Sequence, residues 1–399
     1  MFGIFGQKEK QDLVLVFDVR SSSVGASLFK AQKSGVPKIL MSVREPVLQS
    51  ETVNVDKFLF STIKALDVVA GQAFKAGFGV PKNIYCVLAS PWYISETRII
   101  TLKKDRPFLF TLAMADELIK KETETFKAEH LEKYVKAKQE IRVVELKTIK
   151  TILNGYETKS PINQSVQDVE MTLFLSMTPE QVLTSFEEVI NKYFHHKVIK
   201  FSSFTMASFA VMHNLFLDQP NFLLIDIGGE VTDISMIKRN VFTESISFPL
   251  GRHFIVRGIC EAVSCTPAEA ESYIALINAG HADEATLKKL GTIVDKLKTE
   301  WLKSFQESLA NLSHDISVPY TIYLSADADF TTFFGKIIEA EQFNQYTLTE
   351  SKFNIIFMDA ETLHGSVEFE KDSARDPFVM IDAAYVNHFL IYGDTPGKV

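Results

Sequence analysis

Cysteine is scarce in this sequence, with only Cys86, Cys260 and Cys265 among 399 residues. Their odd number and the lack of any CxxC spacing exclude a disulfide framework and a cysteine-rich zinc site, and favour a reducing cytoplasm. Long apolar runs are also missing, since no segment approaches the roughly 18 uninterrupted apolar residues of a membrane-spanning helix. We therefore expect a cytoplasmic protein without a transmembrane helix.

The sequence also lacks an excess of positive charge. It has 42 Lys and Arg against 50 Asp and Glu, a net charge of -8, so the electrostatic footprint of a general nucleic-acid binder is absent and we expect no nucleic-acid partner. The composition, 46% hydrophobic and 23% charged, is typical of a globular chain with two or more cores. No long Gly/Ser-rich or Pro-rich linker is present, so we expect its parts to pack against one another.

Two apolar runs that end in aspartate are the most informative feature. Residues 12–19 (DLVLVFDV) and 221–227 (NFLLIDI) are each typical of a buried strand, and each precedes a turn of small residues and a returning strand. The segments DVRSSSVGASLFK and DIGGEVTDISMIK resemble each other at a separation of about 200 residues, which predicts duplicated halves. The chemical role of these aspartates has two interpretations. A strand-ending aspartate holds a hydrated Mg²⁺ while turn amides receive phosphate oxygens, or it is an ordinary turn residue.

The stretch between these two runs has a different sequence pattern. Residues 91–177 contain a charged helix at 114–139, strands around 141–153 and the alternating segment VEMTLFLSM, which together predict a compact α+β block. The period-2 pattern of VEMTLFLSM is also compatible with a sheet edge that is open to an added strand.

Helix signals flank this block. Residues 55–76 and 285–312 have helical apolar spacing. Thr178 is predicted to cap a helix whose first residue is Pro179, and Thr266 is predicted to cap another helix in the same way.

The two aspartate segments resemble the phosphate loops of the actin-like ATPase superfamily, and within it the bacterial FtsA/PilM branch. DVRSSSVGASLF is similar to the first loop, whose family form is close to D-I-G-S-S-S-V, and DIGGEVTDISMIKRN is similar to the second, D-I-G-G-G-T-T-D-I. NGYETKSP with VEMTLFLSMTPEQ resembles the end of the family's inserted SHS2-type subdomain. SFPLGRHFIVRGI resembles the entry to the second lobe, and DPFVMIDAAYVNHFL resembles the terminal helix.

The resemblance covers essentially the whole chain in order, and it implies a fold class. We expect an α/β, two-lobed actin-like ATPase fold, related to ribonuclease H, with an inserted α+β subdomain of the SHS2 type. The implied domains are lobe I at 1–90 with the first phosphate loop, the insert at 91–177, lobe I again at 178–220, lobe II at 221–370 with the second phosphate loop and a helical subdomain at about 258–317, and the closing helix of lobe I at 371–399.

The resemblance also implies ATP and Mg²⁺ as cofactors. Asp18 and Asp226 would organise Mg²⁺ through water, and no catalytic residue can be assigned. The other implied nucleotide contacts are the backbone amides of Ser21, Ser22, Ser23, Gly228 and Gly229, with Thr232, Asp233, Ser325 and Ala326 lining the site.

Three departures from the family pattern fall in this site. Arg20 replaces a glycine, where it either pays a steric penalty if φ is positive or reaches a phosphate. Glu230 replaces the third glycine of the second loop and puts a carboxylate beside the expected γ-phosphate. Ser325, Ala326 and Asp327 occupy the glycine positions of the adenosine loop. We expect ATP binding to be weak or absent; in the alternative interpretation, Arg20 and Glu230 are solvated turn residues of a retired site.

The function implied is a membrane-associated assembly platform, either for cell division, as with FtsA, or for a type IV pilus, as with PilM. The start MFGIFGQKEK and the end YGDTPGKV, with no terminal amphipathic helix, are more similar to PilM, whereas DIGGEVTD and TPAEAESY are more similar to FtsA. The balance slightly favours a pilus. The alternative is an ATP-hydrolysing enzyme of the kinase or chaperone kind, for which neither a catalytic aspartate nor a substrate domain can be assigned.

The expected partner follows from this function. It is the cytoplasmic tail of a membrane protein in a pilus or division complex, and self-association is possible. The expected location is the cytoplasm, peripheral at the inner face of the cell membrane.

Overall fold

Three β-sheets organise the chain, whose computed structural model describes residues 12–48, 55–134, 140–195, 198–313, 317–340, 352–371 and 373–393. The strands are β1 (Leu13–Val19), β2 (Ser23–Lys30), β3 (Lys38–Pro46), β4 (Asn83–Leu88), β5 (Ile94–Phe110), β6 (Ile141–Leu153), β7 (Tyr156–Glu157), β8 (Gln164–Pro179), β9 (Ile199–Ser203), β10 (Phe222–Ile227), β11 (Thr232–Lys238), β12 (Val241–Phe248), β13 (Thr321–Ala326), β14 (Asn354–Phe357) and β15 (Glu368–Phe369). The helices are α1 (Val55–Lys75), α2 (Leu112–Tyr134), α3 (Glu180–Phe194), α4 (Phe204–Leu215), α5 (Arg252–Val263), α6 (Pro267–Ala279), α7 (Glu284–Ser313), α8 (Ala328–Ala340) and α9 (Pro377–Tyr385), which continues as a π-helical turn (Val386–Ile391).

Two of the sheets share one topology. The six-stranded sheet has the order β15-β3-β2-β1-β4-β9, and the five-stranded sheet has the order β12-β11-β10-β13-β14. In each sheet an antiparallel run of three strands, β3-β2-β1 or β12-β11-β10, is followed by two parallel strands. The strands that end in the two aspartates, β1 and β10, occupy equivalent places in different sheets. This equivalence confirms the predicted duplication.

The third sheet is formed by the stretch of chain between β4 and β9. Its order is β5-β8-β6-β7, and α2 packs against it. The idea that VEMTLFLSM is an open sheet edge is wrong, because this segment lies within β8, between β5 and β6. Val169, for example, is opposite Leu102 on one side and Leu153 on the other. The alternation along β8 reports which face of the strand is buried, and it carries no information about its neighbours within the sheet.

One apolar core joins the six-stranded and five-stranded sheets. Val14 and Val16 on β1 contribute to it from one sheet, and Phe222 and Leu224 on β10 from the other; α4 and α9 belong to the same cluster. The opposite faces of the two sheets pack on α1 and α3 and on α5 to α8, respectively. The two sheets are therefore coupled behind the site by continuous packing.

The two predicted helix caps have different outcomes. Thr266 caps α6 with a reciprocal capping box to Glu269, and Pro267 follows, as expected. Thr178 does not cap α3. Strand β8 continues through Pro179, which is the residue at the cap position and makes no side-chain cap bond, and the Thr178 hydroxyl instead bonds the carbonyl of Trp92.

No helix within the described ranges combines the length and the apolar character needed to cross a bilayer. The segments MFGIFGQKEK and DTPGKV, at the two ends of the sequence, lie outside the described residues.

Candidate functional site

The two predicted phosphate loops have the same turn geometry. In the first loop the amide of Arg20 donates to the carbonyl of Ser23 at 3.0 Å, and in the second the amide of Gly228 donates to the carbonyl of Val231 at 2.9 Å. Each hydrogen bond closes the turn that follows the aspartate at the end of β1 or β10. Arg20 and Gly228 therefore occupy equivalent positions in the two hairpins.

The two loops contact each other directly through Ser21. Its hydroxyl oxygen accepts hydrogen bonds from the amides of Gly229 at 2.8 Å and Glu230 at 3.2 Å. Gly229 permits this approach, because a Cβ atom there would lie 2.7 Å from the His253 ring and 3.0 Å from the backbone of Ser21. The amide that the resemblance assigned to a phosphate is therefore bonded to the opposite loop.

Arg20 lies between the two aspartates that were predicted to organise the metal. Its Nη2 is 2.5 and 2.6 Å from the two carboxylate oxygens of Asp226, and its Nη1 is 3.9 Å from Asp18. The guanidinium carbon lies 4.4 Å from the ring centroid of Phe204 and 3.9 Å from that of Phe378. Burial lowers the pKa of Arg20, but the charges of Asp226 and Asp18 outweigh this effect and raise it. A permanent positive charge is thus held at 1% exposure.

Asp18 has an arginine of its own. Arg44 donates from Nη2 to Asp18 at 2.6 Å, from Nη1 to the Ser23 hydroxyl at 2.9 Å, and from Nε to Asp376 at 2.5 Å. Burial raises the pKa of Asp18 by more than the charges of Arg44 and Arg20 lower it. Asp376 also caps α9, so the first loop is tied to the start of that helix.

Asp382 on α9 is a further buried carboxyl in this region. It is completely buried, and its two oxygens have no hydrogen-bond partner within the described ranges. Burial and the charge of Asp18 raise its pKa well above the ordinary value. Burial therefore favours the neutral form of the Asp382 carboxyl.

Glu230 is paired with α5. Its carboxylate lies 3.0 Å from Nδ1 of His253 and accepts hydrogen bonds from Arg257 at 2.8 and 2.7 Å. Burial raises the pKa of Glu230, but the bonds from His253 and Arg257 dominate and lower it to about 2. The interpretation of Arg20 and Glu230 as solvated turn residues is therefore wrong. Neither residue has a positive φ, so the steric penalty considered for Arg20 does not arise.

The predicted adenosine loop is also internally paired. The Ser325 hydroxyl donates to Asp226 at 2.6 Å, and Ala326 lies opposite Ile227 at the end of β13. Asp327 is 2.7 Å from Nε of Arg252, and although burial raises its pKa, the charge of that arginine contributes to a net lowering.

Thr232 and Asp233 make contacts that support the second hairpin. The Thr232 hydroxyl donates to the carbonyl of Leu250 at 2.7 Å. Asp233 accepts hydrogen bonds from Ser247 and, at 3.0 Å, from Ser90, which follows β4 of the six-stranded sheet. Burial and the neighbouring charge of Asp226 raise the pKa of Asp233 to about 6.

The raised pKa of Asp233 predicts a pH dependence of stability. Because the folded pKa of about 6 exceeds the ordinary value of 3.8, the folded state favours the neutral carboxyl, and ionisation reduces stability as the pH rises through 6. Asp233→Asn cannot ionise. We expect its free energy of unfolding to rise relative to that of wild type by up to about 3 kcal/mol between about pH 4 and about pH 7. Urea unfolding of both proteins across this range measures the difference, and a constant difference would contradict the assignment.

The residues present do not fit the ATP·Mg²⁺ complex that the resemblance implies. Arg20 is bonded to Asp226, Arg44 is bonded to Asp18, and the Gly229 amide is bonded to Ser21. The structure brings the predicted site residues together, but in contact with protein groups.

Several residues of this cluster were not predicted from the sequence as residues of the site. They are Arg44, Phe204, Arg252, His253, Arg257, Asp376, Phe378 and Asp382. Asp376 alone has a local signature, since an aspartate directly before Pro377 is a typical helix cap.

Comparison with known proteins shows the fold. No family model matches the chain, and no curated protein matches it. Among solved structures, the PilM-PilN type IV pilus biogenesis complex is similar, with a TM-score of 0.60 at 12% identity over 96% of this chain and 99% of that chain. The predicted actin-like ATPase fold is confirmed.

Two other solved structures are similar with lower scores. One is the ethanolamine utilization protein EutJ from Carboxydothermus hydrogenoformans, with 10% identity, a TM-score of 0.42, and coverage of 94% of this chain and 88% of that one. The other is a Bacteroides thetaiotaomicron protein with an actin-like ATPase fold and unknown function, with 8% identity, a TM-score of 0.40, and coverage of 96% and 99%.

Proposed function

We propose that this chain is an actin-fold assembly platform of the PilM type that does not turn over ATP. Similarity to the PilM complex over nearly the full length of both chains supports the platform. The observation that carries the loss of turnover is the contact of the single nitrogen Nη2 of Arg20 with both carboxylate oxygens of Asp226. It lies in the space between the two phosphate-loop hairpins, here called the cleft, where a metal-bound nucleotide would lie. The ATP-hydrolysing alternative is less well supported, because it requires that Asp226 be free to organise Mg²⁺.

The proposed partner is the cytoplasmic tail of a membrane protein in a type IV pilus complex, and the proposed location is the inner face of the membrane. A pilus is favoured over cell division by the PilM similarity. Affinity purification of the tagged full chain from detergent-solubilised cells tests this proposal. Recovery of a membrane protein of a pilus complex, absent from a tag-only control, is the expected result. Recovery of division-ring proteins alone would contradict it.

A nucleotide titration tests the absence of turnover. A ligand that binds only the native state at a concentration of 100 times Kd stabilises it by about 2.7 kcal/mol, which shifts the melting temperature by several degrees. We expect millimolar ATP·Mg²⁺ to leave the melting temperature of the wild-type chain unchanged, and phosphate release to match that of a no-protein control. A shift of several degrees that is abolished by Asp226→Ala would show a working nucleotide site and would overturn this part of the proposal.

A further inference from the structure

We infer that Arg20 is the resident cation of the cleft, between the two aspartates that the family resemblance assigns to a divalent metal, and that it links the two hairpins in place of that metal. The inference rests on the proposed function in one respect: it takes the chain to be a platform and not an ATPase. Four observations on the structure support it.

The first observation is the environment of the Arg20 guanidinium. A buried charge is costly unless it is paired and hydrogen-bonded. Here Nη2 contacts both oxygens of Asp226, and the guanidinium lies against the rings of Phe204 and Phe378, which are favourable cation–π partners. Its Nε and Nη1 have no hydrogen-bond partner among the described residues, so the ion pair and the two rings compensate the charge. The surroundings of Arg20 are those of a built cation site whose cation is attached to the chain.

The second observation is that each charged departure from the family pattern has a partner. Arg20 is paired with Asp226, Glu230 with Arg257, and Asp327 with Arg252. Random decay of a nucleotide site would leave unpaired charges, and an uncompensated buried charge is strongly destabilising. The matched pairs indicate that the cleft has been rebuilt around internal ion pairs.

The third observation is the role of α5 in this arrangement. The helix carries both of the arginines that neutralise Glu230 and Asp327. Its first amides, those of Arg252 and His253, donate to the carbonyls of Gly228 and Gly229. The N-terminus of α5, a favourable place for an anion, is therefore occupied by the second loop itself.

The fourth observation is that these contacts join the two main sheets. Arg20 follows β1 of the six-stranded sheet, whereas Asp226 is on β10 of the five-stranded sheet. Two further hydrogen bonds also join the two sheets, one between Ser21 and Gly229 and one between Ser90 and Asp233. A ligand shifts a conformational equilibrium only while it is bound. The guanidinium belongs to the chain and is always present beside Asp226, so this link between the sheets does not depend on nucleotide concentration.

Manganese binding tests the position of the cation. In the full-length chain, Arg20→Ala removes the resident charge and leaves the carboxylate of Asp226, whose remaining bond is from the Ser325 hydroxyl, open to a metal ion, while Asp18 stays bonded to Arg44. We expect Mn²⁺ alone, titrated by electron paramagnetic resonance, to bind this variant at least about tenfold more tightly than wild type, a gain of about 1.4 kcal/mol. Adding Asp226→Asn should abolish the gain. Arg257→Ala, the matched control that removes an arginine from another pair, should show no gain.

Equal Mn²⁺ affinity of Arg20→Ala and wild type would overturn the inference, as would a gain of the same size in Arg257→Ala. Should Arg20→Ala fail to fold, the wild-type chain provides a second test. Hydrogen exchange of the Gly229 and Glu230 amides, which are bonded to Ser21, should be unchanged by millimolar ATP·Mg²⁺. Slowing of their exchange by ATP·Mg²⁺ would show that a nucleotide holds the loop and would refute the inference. Neither readout depends on the membrane partner, so the platform proposal and this inference can fail separately.

Discussion

Replacing Arg20 with methionine is expected to lower the free energy of unfolding by about 3–5 kcal/mol, the usual cost of removing one partner of a buried ion pair. Methionine keeps most of the side-chain length and the apolar contact with Phe204 and Phe378. The substitution leaves the Asp226 side chain, which is 13% exposed, with the hydrogen bond from the Ser325 hydroxyl in place of the ion pair. Urea unfolding followed by circular dichroism measures the loss, and a change below about 1 kcal/mol would show that the pair is not structurally important.

A double-mutant cycle separates the pair from its surroundings. Asp226→Asn alone leaves the buried guanidinium of Arg20 with only the more distant Asp18, 3.9 Å away. The double variant Arg20→Met/Asp226→Asn removes both charges. We therefore expect its loss of unfolding free energy to be smaller, by about 1–3 kcal/mol, than the sum of the losses in the two single variants. Additive losses would contradict a direct interaction between the two side chains.

The local features of the fold could be predicted from the sequence. The apolar runs that became β1 and β10, the helical spacing that became α1 and α7, and the Thr266 cap all depend on residues within one or two turns of each other. The duplication could also be predicted, because the two aspartate segments are similar in sequence. The structure shows equivalent turn hydrogen bonds in them, at Arg20 and Gly228. Pattern and local chemistry were sufficient at these places.

The chemistry of the cleft could not be predicted in the same way. Arg20 and Asp226 are 206 residues apart, and Arg44 and Asp376 are 332 apart, so no local pattern links the partners. The sequence showed that Arg20 departs from the family glycine, but the direction of its side chain depends on how two sheets pack. The three interpretations of Arg20, as strained, phosphate-binding or solvated, all omitted a carboxylate from the other hairpin.

The wrong prediction for β8 has a related cause. An alternating strand buries one face whether or not it has a neighbour on each side, so periodicity identifies the strand and leaves its place in the sheet open. The place of β8 between β5 and β6 is set by pairing with two strands that are distant in sequence.

The cleft is supported from behind by the two tryptophans of the chain. The indole of Trp92 donates to the carbonyl of Arg20 at 3.3 Å, behind the first loop. The indole of Trp301 on α7 donates to the carbonyl of Leu250 at 3.2 Å and to the Thr232 hydroxyl at 3.3 Å, behind the second hairpin. Each loop therefore has one aromatic residue that connects it to the core of its own sheet.

Trp301→Ala is accordingly expected to cost about 3–5 kcal/mol of unfolding free energy, the range for truncating a fully buried tryptophan. Trp301 is 0% exposed. Its ring centroid lies 5.3 Å from that of Phe305, on which it stacks, and 4.9 Å from that of Phe334. Alanine would therefore leave a cavity between α7 and α8. Trp301→Phe, the matched control, fills most of that space and loses only the indole hydrogen bonds, at a cost of about 1–2 kcal/mol. Urea unfolding followed by circular dichroism compares the two variants. Equal losses would mean that the hydrogen bonds to the second hairpin, and not the packing of the ring, hold α7 against it.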